Sequence, residues 1–154
     1  MAGYVPDSAN ESWGTPQDLF DELDAEFHFT LDAAASQDNA KCIHFYCKAQ
    51  NALTLPWTGN VWLNPPYSSG VGEWVKKAWD EVFWLKRARL VAMLLKATTD
   101  TTWFHELIWN APEGRPYAYA DLRFIRGRVR FVIPGKKSRP APFASMVVIF
   151  KAVG

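Results

Sequence analysis

The run Arg89–Ala97, RLVAMLLKA, restricts the fold more than any other segment of the chain. Its apolar residues are consecutive, with neither the alternation of a half-exposed strand nor the gaps of a surface helix. Such a run reads as a strand covered on both faces. It falls well short of the ~20 apolar residues that cross a membrane, and no other stretch approaches that length. One strand enclosed on two sides requires layers above and below it. A second apolar strand is expected at Ser145–Val153 and a shorter one at Val61-Trp62-Leu63.

Helical patterns separate these strands. Thr15-Pro16-Gln17-Asp18 reads as a helix start, with Thr15 as the capping hydroxyl, proline at the first helical position and an acid in the first turn. Leu19, Phe20, Leu23 and Phe27 follow at helical spacing, and Phe29-Thr30-Leu31 then forms a short strand ending at Asp32. Residues 71–85 place Val71, Trp74, Val75, Ala78, Trp79, Val82 and Phe83 on one helical face. A further helix is expected over Asp100–Trp109, and Leu122–Ile133 alternates as a strand bent or folded back at Gly127. Strands alternating with helices predict an α/β fold: a mostly parallel central sheet, helices on both faces, and an antiparallel C-terminal edge. Residues 1–12 read as a flexible leader, polar and without the apolar core of a secretory signal, and 13–154 as a single domain.

Net charge is +1 over 154 residues, which by itself argues against a polyanionic partner. The total conceals a split. Residues 1–75 carry a net charge of −8 and residues 76–154 a net charge of +9. Such asymmetry suggests an anion for one face, unless the halves neutralise each other in the fold. Two cysteines, Cys42 and Cys47, make no disulfide framework and point to a reducing cytoplasm. With His44 they fall short of a structural zinc site, which takes four ligands in paired spacings.

Asn64-Pro65-Pro66-Tyr67 carries the chemistry. Two prolines exclude both helix and sheet ladder, so the tetrapeptide is a rigid turn directly after a strand. At the carboxyl end of a strand in an α/β sheet, such a turn faces the ligand crevice. The Asn64 amide oxygen and the Pro65 carbonyl are two acceptors at fixed angles. An exocyclic amino group offers two N–H donors to match. Accepting both draws the nitrogen out of conjugation with its ring and frees its lone pair for attack on an activated methyl group. Tyr67 offers a flat face to a planar base, unless the tetrapeptide is a purely structural turn with a packed tyrosine.

The pieces WGTPQDLFDEL, FTLDAAAS, NAL followed by a tryptophan, VWLNPPYS, LLKATTDTTWFH and GRVRF, in that order, resemble the Dam-like DNA N6-adenine methyltransferases of phages and prophages. The likeness runs from about Trp13 to the C-terminus. It implies a compact Rossmann-like methyltransferase fold and S-adenosyl-L-methionine as cofactor. It further implies DNA as partner and a place in the bacterial host cytoplasm. Thr15 and Pro16, at a helix N-terminus, would meet the carboxylate of the cofactor's methionine end, since helix N-termini favour anions. Asp32, followed by Ala33 and Ala34, would sit beside its amino group. Asn51 and Leu53 match the segment that touches the adenine, and Asp38 is a candidate for the ribose. Asn64, Pro65, Pro66 and Tyr67 would grip the target base. The family's glycine-rich loop after the acid is here Ala33-Ala34-Ala35, and Lys96 stands where such strands often carry proline.

The adenine would have to swing out of the duplex to reach this turn. Ser68, Lys96, Arg126, Arg128, Arg130, Lys136, Lys137 and Arg139 are the candidate nucleic-acid contacts. The three arginines at 126, 128 and 130 are expected on one side of one strand, which a solvated strand face would equally explain. His105 reads as a helix-face packing residue or a general base. With no room for a separate target-recognition domain, sequence reading falls to the loops at 110–121 and 134–143 or is shared across a homodimer. The same turn would also serve RNA or protein-glutamine amino groups, and the fold a non-catalytic nucleic-acid-binding relative.

Overall fold

The computed structural model describes residues 13–67, 70–133 and 135–152, so the expected leader and Ser68 lie outside the described residues. Five strands form the central sheet in the order β1 (Leu31–Asp32), β2 (Gly59–Leu63), β3 (Ala88–Lys96), β9 (Ser145–Lys151) and β6 (Ala120–Phe124). The pairs β1–β2 and β2–β3 are parallel, whereas β3–β9 and β9–β6 are antiparallel. The fold is mixed α/β, as the alternation of elements predicts. The sheet differs from the mostly parallel expectation in one respect: the C-terminal strand is not an edge. It inserts between β3 and β6, so half of the strand pairs are antiparallel.

The insertion follows from what β9 has to bury. SMVVIFK has six buried residues in succession, a pattern that an edge strand with one solvated side would not tolerate. β3 is its counterpart, with six consecutive fully or almost fully buried residues from Leu90 to Leu95. Alternate residues divide between two cores. Val61 and Leu63, Val91, Met93 and Leu95, and Met146, Val148 and Phe150 face one side. There they meet helix α2 (Val71–Trp79) and helix α3 (Thr102–Leu107). Trp62, Leu90, Ala92, Leu94, Val147 and Ile149 face the other, covered by Phe20 and Leu23 of helix α1 (Gln17–Phe27). Helices therefore lie on both faces. The predicted helix over 71–85 is a nine-residue α-helix continued by a π-turn, Asp80–Trp84. α3 is shorter than predicted and is capped by Thr101, whose hydroxyl accepts the Phe104 N–H at 3.4 Å. At Gly72 on α2 an added Cβ would come within 2.9 Å of the Trp103 ring, so the glycine is what lets α3 pack this closely.

Leu122–Ile133 is not one strand. β6 ends at Phe124, Gly127 takes φ +78°, and β7 (Arg130–Phe131) starts anew. β7 pairs antiparallel with β8 (Arg139–Pro140) as a separate hairpin. A second small hairpin joins β4 (Trp109–Asn110) to β5 (Arg115–Pro116). Among the described residues no helix is long and apolar enough to cross a membrane.

Candidate active site

The parallel strands bring Asp32, Leu63 and Lys96 to one end of the sheet. The chain leaving β1 loops out and returns, and residues 44–46 lie back along the strand. The Asp32 N–H donates to the His44 carbonyl at 3.0 Å, and the Tyr46 N–H donates to the Asp32 carbonyl at 3.0 Å. Two short 3-10 turns, Lys48–Gln50 and Ala52–Thr54, follow, with Asn51 between them at φ +54°. These turns and the loop enclose a cleft of about 960 Å³, near the upper end of the range for small-molecule sites. Its walls include Ala33–Asn39, Asn51, Ala52, Asn64, Pro66 and Trp74.

Three expected cofactor positions, Ala33, Ala34 and Asn51, thus share one cleft with Asn64 and Pro66 of the turn, and Asp38 lines it as well. Leu53 does not line it. The backbone turn at Asn51 puts Ala52 in the wall instead, and the Trp57 indole N–H holds the Ala52 carbonyl at 3.0 Å. Asp32 lies behind the cleft, in a small recess with Trp13, Thr15, Asn39, Lys41 and Asn64. It is 3% exposed. Its carboxylate accepts the Lys41 N–H at 3.0 Å and the Ala34 N–H at 3.3 Å. Burial lifts its pKa to about 6, against the pull of those two N–H donors and of the Lys41 charge. A buried carboxylate with little positive charge to balance it suits a cationic ligand group.

Thr15 does not cap α1. Pro16 is the N-cap residue and no side chain serves as a cap. The Thr15 hydroxyl instead accepts the Asn64 amide Nδ2 at 3.1 Å, and the Trp13 carbonyl accepts the same amide at 3.0 Å. Asn64 Oδ1 and the Pro65 carbonyl accept nothing from the described residues, which matches the two-acceptor reading of the turn.

Tyr67 packs into the core at the end of the turn. It is buried, its hydroxyl donates to the Leu94 carbonyl at 2.6 Å, and its ring meets Phe131 and Phe143 edge-on. Burial raises its pKa. Nothing local in NPPY distinguishes a stacking tyrosine from a core one; Phe131 and Phe143, more than sixty residues away, decide it. The Lys96 ammonium lies 4.7 Å from the Phe143 ring centroid and 5.8 Å from that of Tyr67, beside the turn.

The two loops expected to read sequence sit at opposite ends of the molecule. Ala120 is level with Phe150 and Phe150 with Val91, so the 110–121 segment joins the sheet at the amino end of β3, away from the turn. Phe124 is level with Met146, which is level with Leu95, so the described residues of 125–144 hang at the carboxyl end, the end at which Asn64 follows β2. This segment carries Arg126, Arg128, Arg130, Lys136, Lys137 and Arg139, all exposed, and no acidic residue follows Asp121 in the chain. None of the six is ion-paired among the described residues. Arg87, Arg115, Arg123, Lys76 and Lys77 all are. Because the strand breaks at Gly127, Arg126 does not share a strand face with Arg128 and Arg130.

Other polar candidates have structural partners. The exposed His105 ring bonds the Thr99 carbonyl at 2.8 Å, just ahead of its own helix. Burial, then Asp32 and Asp24, push the Cys42 thiol up to about 12. Among the described residues no three or more His, Cys, Asp or Glu side chains come together as a metal site.

The family model for DNA N-6-adenine-methyltransferase (Dam) matches residues 3–153. The chain belongs to this Dam family. A DNA N-6-adenine-methyltransferase of Escherichia phage T1 is 39% identical over 148 residues, 85% of this chain and 60% of that protein. The Dam-family chain thus spans about three fifths of the phage relative's length. A putative methyltransferase of Escherichia coli strain K12, YfdM, is 35% identical over 65 residues, 37% of this chain and 71% of that protein.

Proposed function

We propose that this protein is an S-adenosyl-L-methionine-dependent DNA adenine-N6 methyltransferase built on a Rossmann-like core. The observation that carries the reading is convergence. Asn64 and Pro66 of the turn and the segments after β1 and around Asn51 line one cleft of about 960 Å³. The segments that leave the carboxyl ends of the parallel strands β1 and β2 line it, the end at which α/β sheets bind ligands.

The residues present fit the cofactor. Asp32 supplies a buried carboxylate for the ammonium of its methionine end. Thr15, whose oxygen is engaged by Asn64, keeps its hydroxyl hydrogen to donate to the carboxylate, beside the helix start at Pro16. Asn51 and Ala52 border the adenine side, with Ala33 and Ala34 between the ends. When bound, S-adenosyl-L-methionine supplies an electrophilic methyl group.

The chain's own residues prepare the acceptor. Asn64 Oδ1 and the Pro65 carbonyl take the two N–H donors of the adenine amino group and concentrate its lone pair. Pro65 and Pro66 hold that geometry without reorganisation, which is where preorganised acceptors gain over water. The basic segment 126–139 and Lys96 face the phosphate backbone, with Ser68 next to the turn in sequence. Six cations without carboxylate partners among the described residues favour a polyanion over a protein glutamine as substrate.

Transfer of labelled methyl from S-adenosyl-L-methionine to unmethylated DNA, RNA and protein in parallel tests the reading. Label is expected in DNA adenine, and Asn64→Ala should reduce it at least a hundredfold while the fold persists. Label confined to RNA or protein, or full activity in Asn64→Ala, overturns it.

A further inference from the structure

A carboxamide is nearly symmetric in shape and opposite in chemistry at its two ends. Turned one way, Asn64 presents an acceptor to the crevice; turned the other, it presents donors. Methylation of an amino group needs the acceptor. Two groups make that choice. The Trp13 carbonyl has no hydrogen to give, so Nδ2 must face it, and Thr15, 3% exposed, takes the second proton.

Trp13 and Thr15 flank Gly14, which is fastened to the basic hairpin. The Gly14 N–H donates to the Val132 carbonyl at 2.8 Å, and the Val132 N–H donates to the Gly14 carbonyl at 2.9 Å. Val132 directly follows β7, which carries Arg130. The Trp13 ring packs on Phe131 at 5.3 Å and on Phe143 at 5.9 Å, both from the same part of the chain. A Cβ at Gly14 would stand 3.3 Å from the Val132 carbonyl, so the approach is tight.

We propose that Trp13–Thr15 is the positioning element for the Asn64 amide, and that the basic hairpin holds it in place through the Gly14–Val132 bridge. The inference rests on the methyl-transfer reading for its consequence, though not for its geometry. Polyanion bound on the hairpin and the amide that receives the base then act on one short backbone segment. Thr15 is here a positioning residue, acting through Asn64.

The test pairs kinetics with side-chain amide exchange by NMR in the ligand-free protein, with Asn64→Asp assigning the signal. Thr15→Val keeps the shape and loses the acceptor. It should speed exchange of the Asn64 amide protons at least fivefold and lower kcat at least tenfold at saturating cofactor and DNA. Thr15→Ser should restore both to within threefold of wild type. Val132→Pro removes the bridging N–H and should speed the same exchange and lower kcat, with the Kd for a mixed-sequence 20-base-pair duplex within threefold of wild type. Gly14→Ala, which crowds the bridge, should act in the same direction and serves if Val132→Pro does not fold. Unchanged exchange in Thr15→Val overturns the proposal. So does an unchanged kcat accompanied only by a higher cofactor KM. Failure of wild-type protein to methylate DNA would strike the functional reading alone, because the exchange rates report amide orientation without turnover.

Discussion

Glu81→Ala should be among the most damaging single substitutions in the protein. Glu81 is fully buried in the π-turn. Its carboxylate accepts the Trp57 backbone N–H at 2.8 Å, Arg87 Nε at 2.9 Å and Lys77 Nζ at 3.0 Å. Truncation leaves the Trp57 N–H buried without an acceptor, at a cost of about 1–3 kcal/mol. It also strands the Lys77 ammonium, whose side chain is only 12% exposed. Arg87, 41% exposed, can rehydrate and adds little. The total is about 4 kcal/mol, within the range for breaking a buried ion pair from one side. In a chain of this size that corresponds to a Tm lower by about 8–16 °C. Glu81→Gln keeps one acceptor and the volume, and should lose about half as much. Calorimetry at pH 7 measures both.

The pH dependence has a definite sign. Burial pushes the Glu81 pKa up, but the hydrogen bonds from Arg87, Trp57 and Lys77 outweigh it and leave the folded pKa below the usual value. Its contribution is therefore present above the unfolded pKa and lost as pH falls through the folded one. The gap between wild type and Glu81→Ala should close in acid. A loss under 1 kcal/mol at pH 7, or a gap that widens in acid, refutes the account. Trp57 also holds the Ala52 carbonyl and stacks on Trp74, and both Ala52 and Trp74 line the cleft. The variant should therefore bind S-adenosylhomocysteine more weakly even where it remains folded.

Asp32 behaves in the opposite way. Its folded pKa, about 6, lies above the unfolded value. Its contribution is present at low pH and is lost as pH rises from about 4 to 6, by about 3 kcal/mol. A cationic ligand group reverses that loss, so calorimetry should find S-adenosylhomocysteine bound more tightly at pH 7.5 than at pH 5.5, with the dependence reduced in Asp32→Asn; equal affinities at the two pH values would refute the assignment. Replacing Arg126, Arg128 and Arg130 together by alanine should reduce the salt slope of DNA binding by about 3, one for each phosphate that goes without its cation. An unchanged slope makes them a solvated surface.

What the sequence made legible is what depends on neighbours in the chain. β2, β3 and β9 declare themselves as apolar runs, and the Asn64 turn is fixed by its prolines. Distant partners decide the rest. β9 lies beside β3 and β6 rather than at an edge because its six buried residues need two flanking strands, and nothing in SMVVIFK names them. Thr15 has every local mark of a cap and is taken by an amide 49 residues away. The alternation of arginines from 126 to 130 suggests one strand, yet Gly127 at positive φ ends that strand within the pattern. Tyr67 stands in the right motif and is claimed by the core.

The β4–β5 hairpin has a practical consequence. Its turn passes through Gly114, at φ +65°, where an added Cβ would meet nothing within 4 Å. The segment after it enters the sheet at the end opposite the cleft. Open space, a turn conformation and distance from the chemistry are the conditions under which a chain accepts an insertion. A fluorophore, an affinity tag or a module that reads a chosen sequence could be spliced in at this turn, and the cleft end would keep its architecture while acquiring a new address.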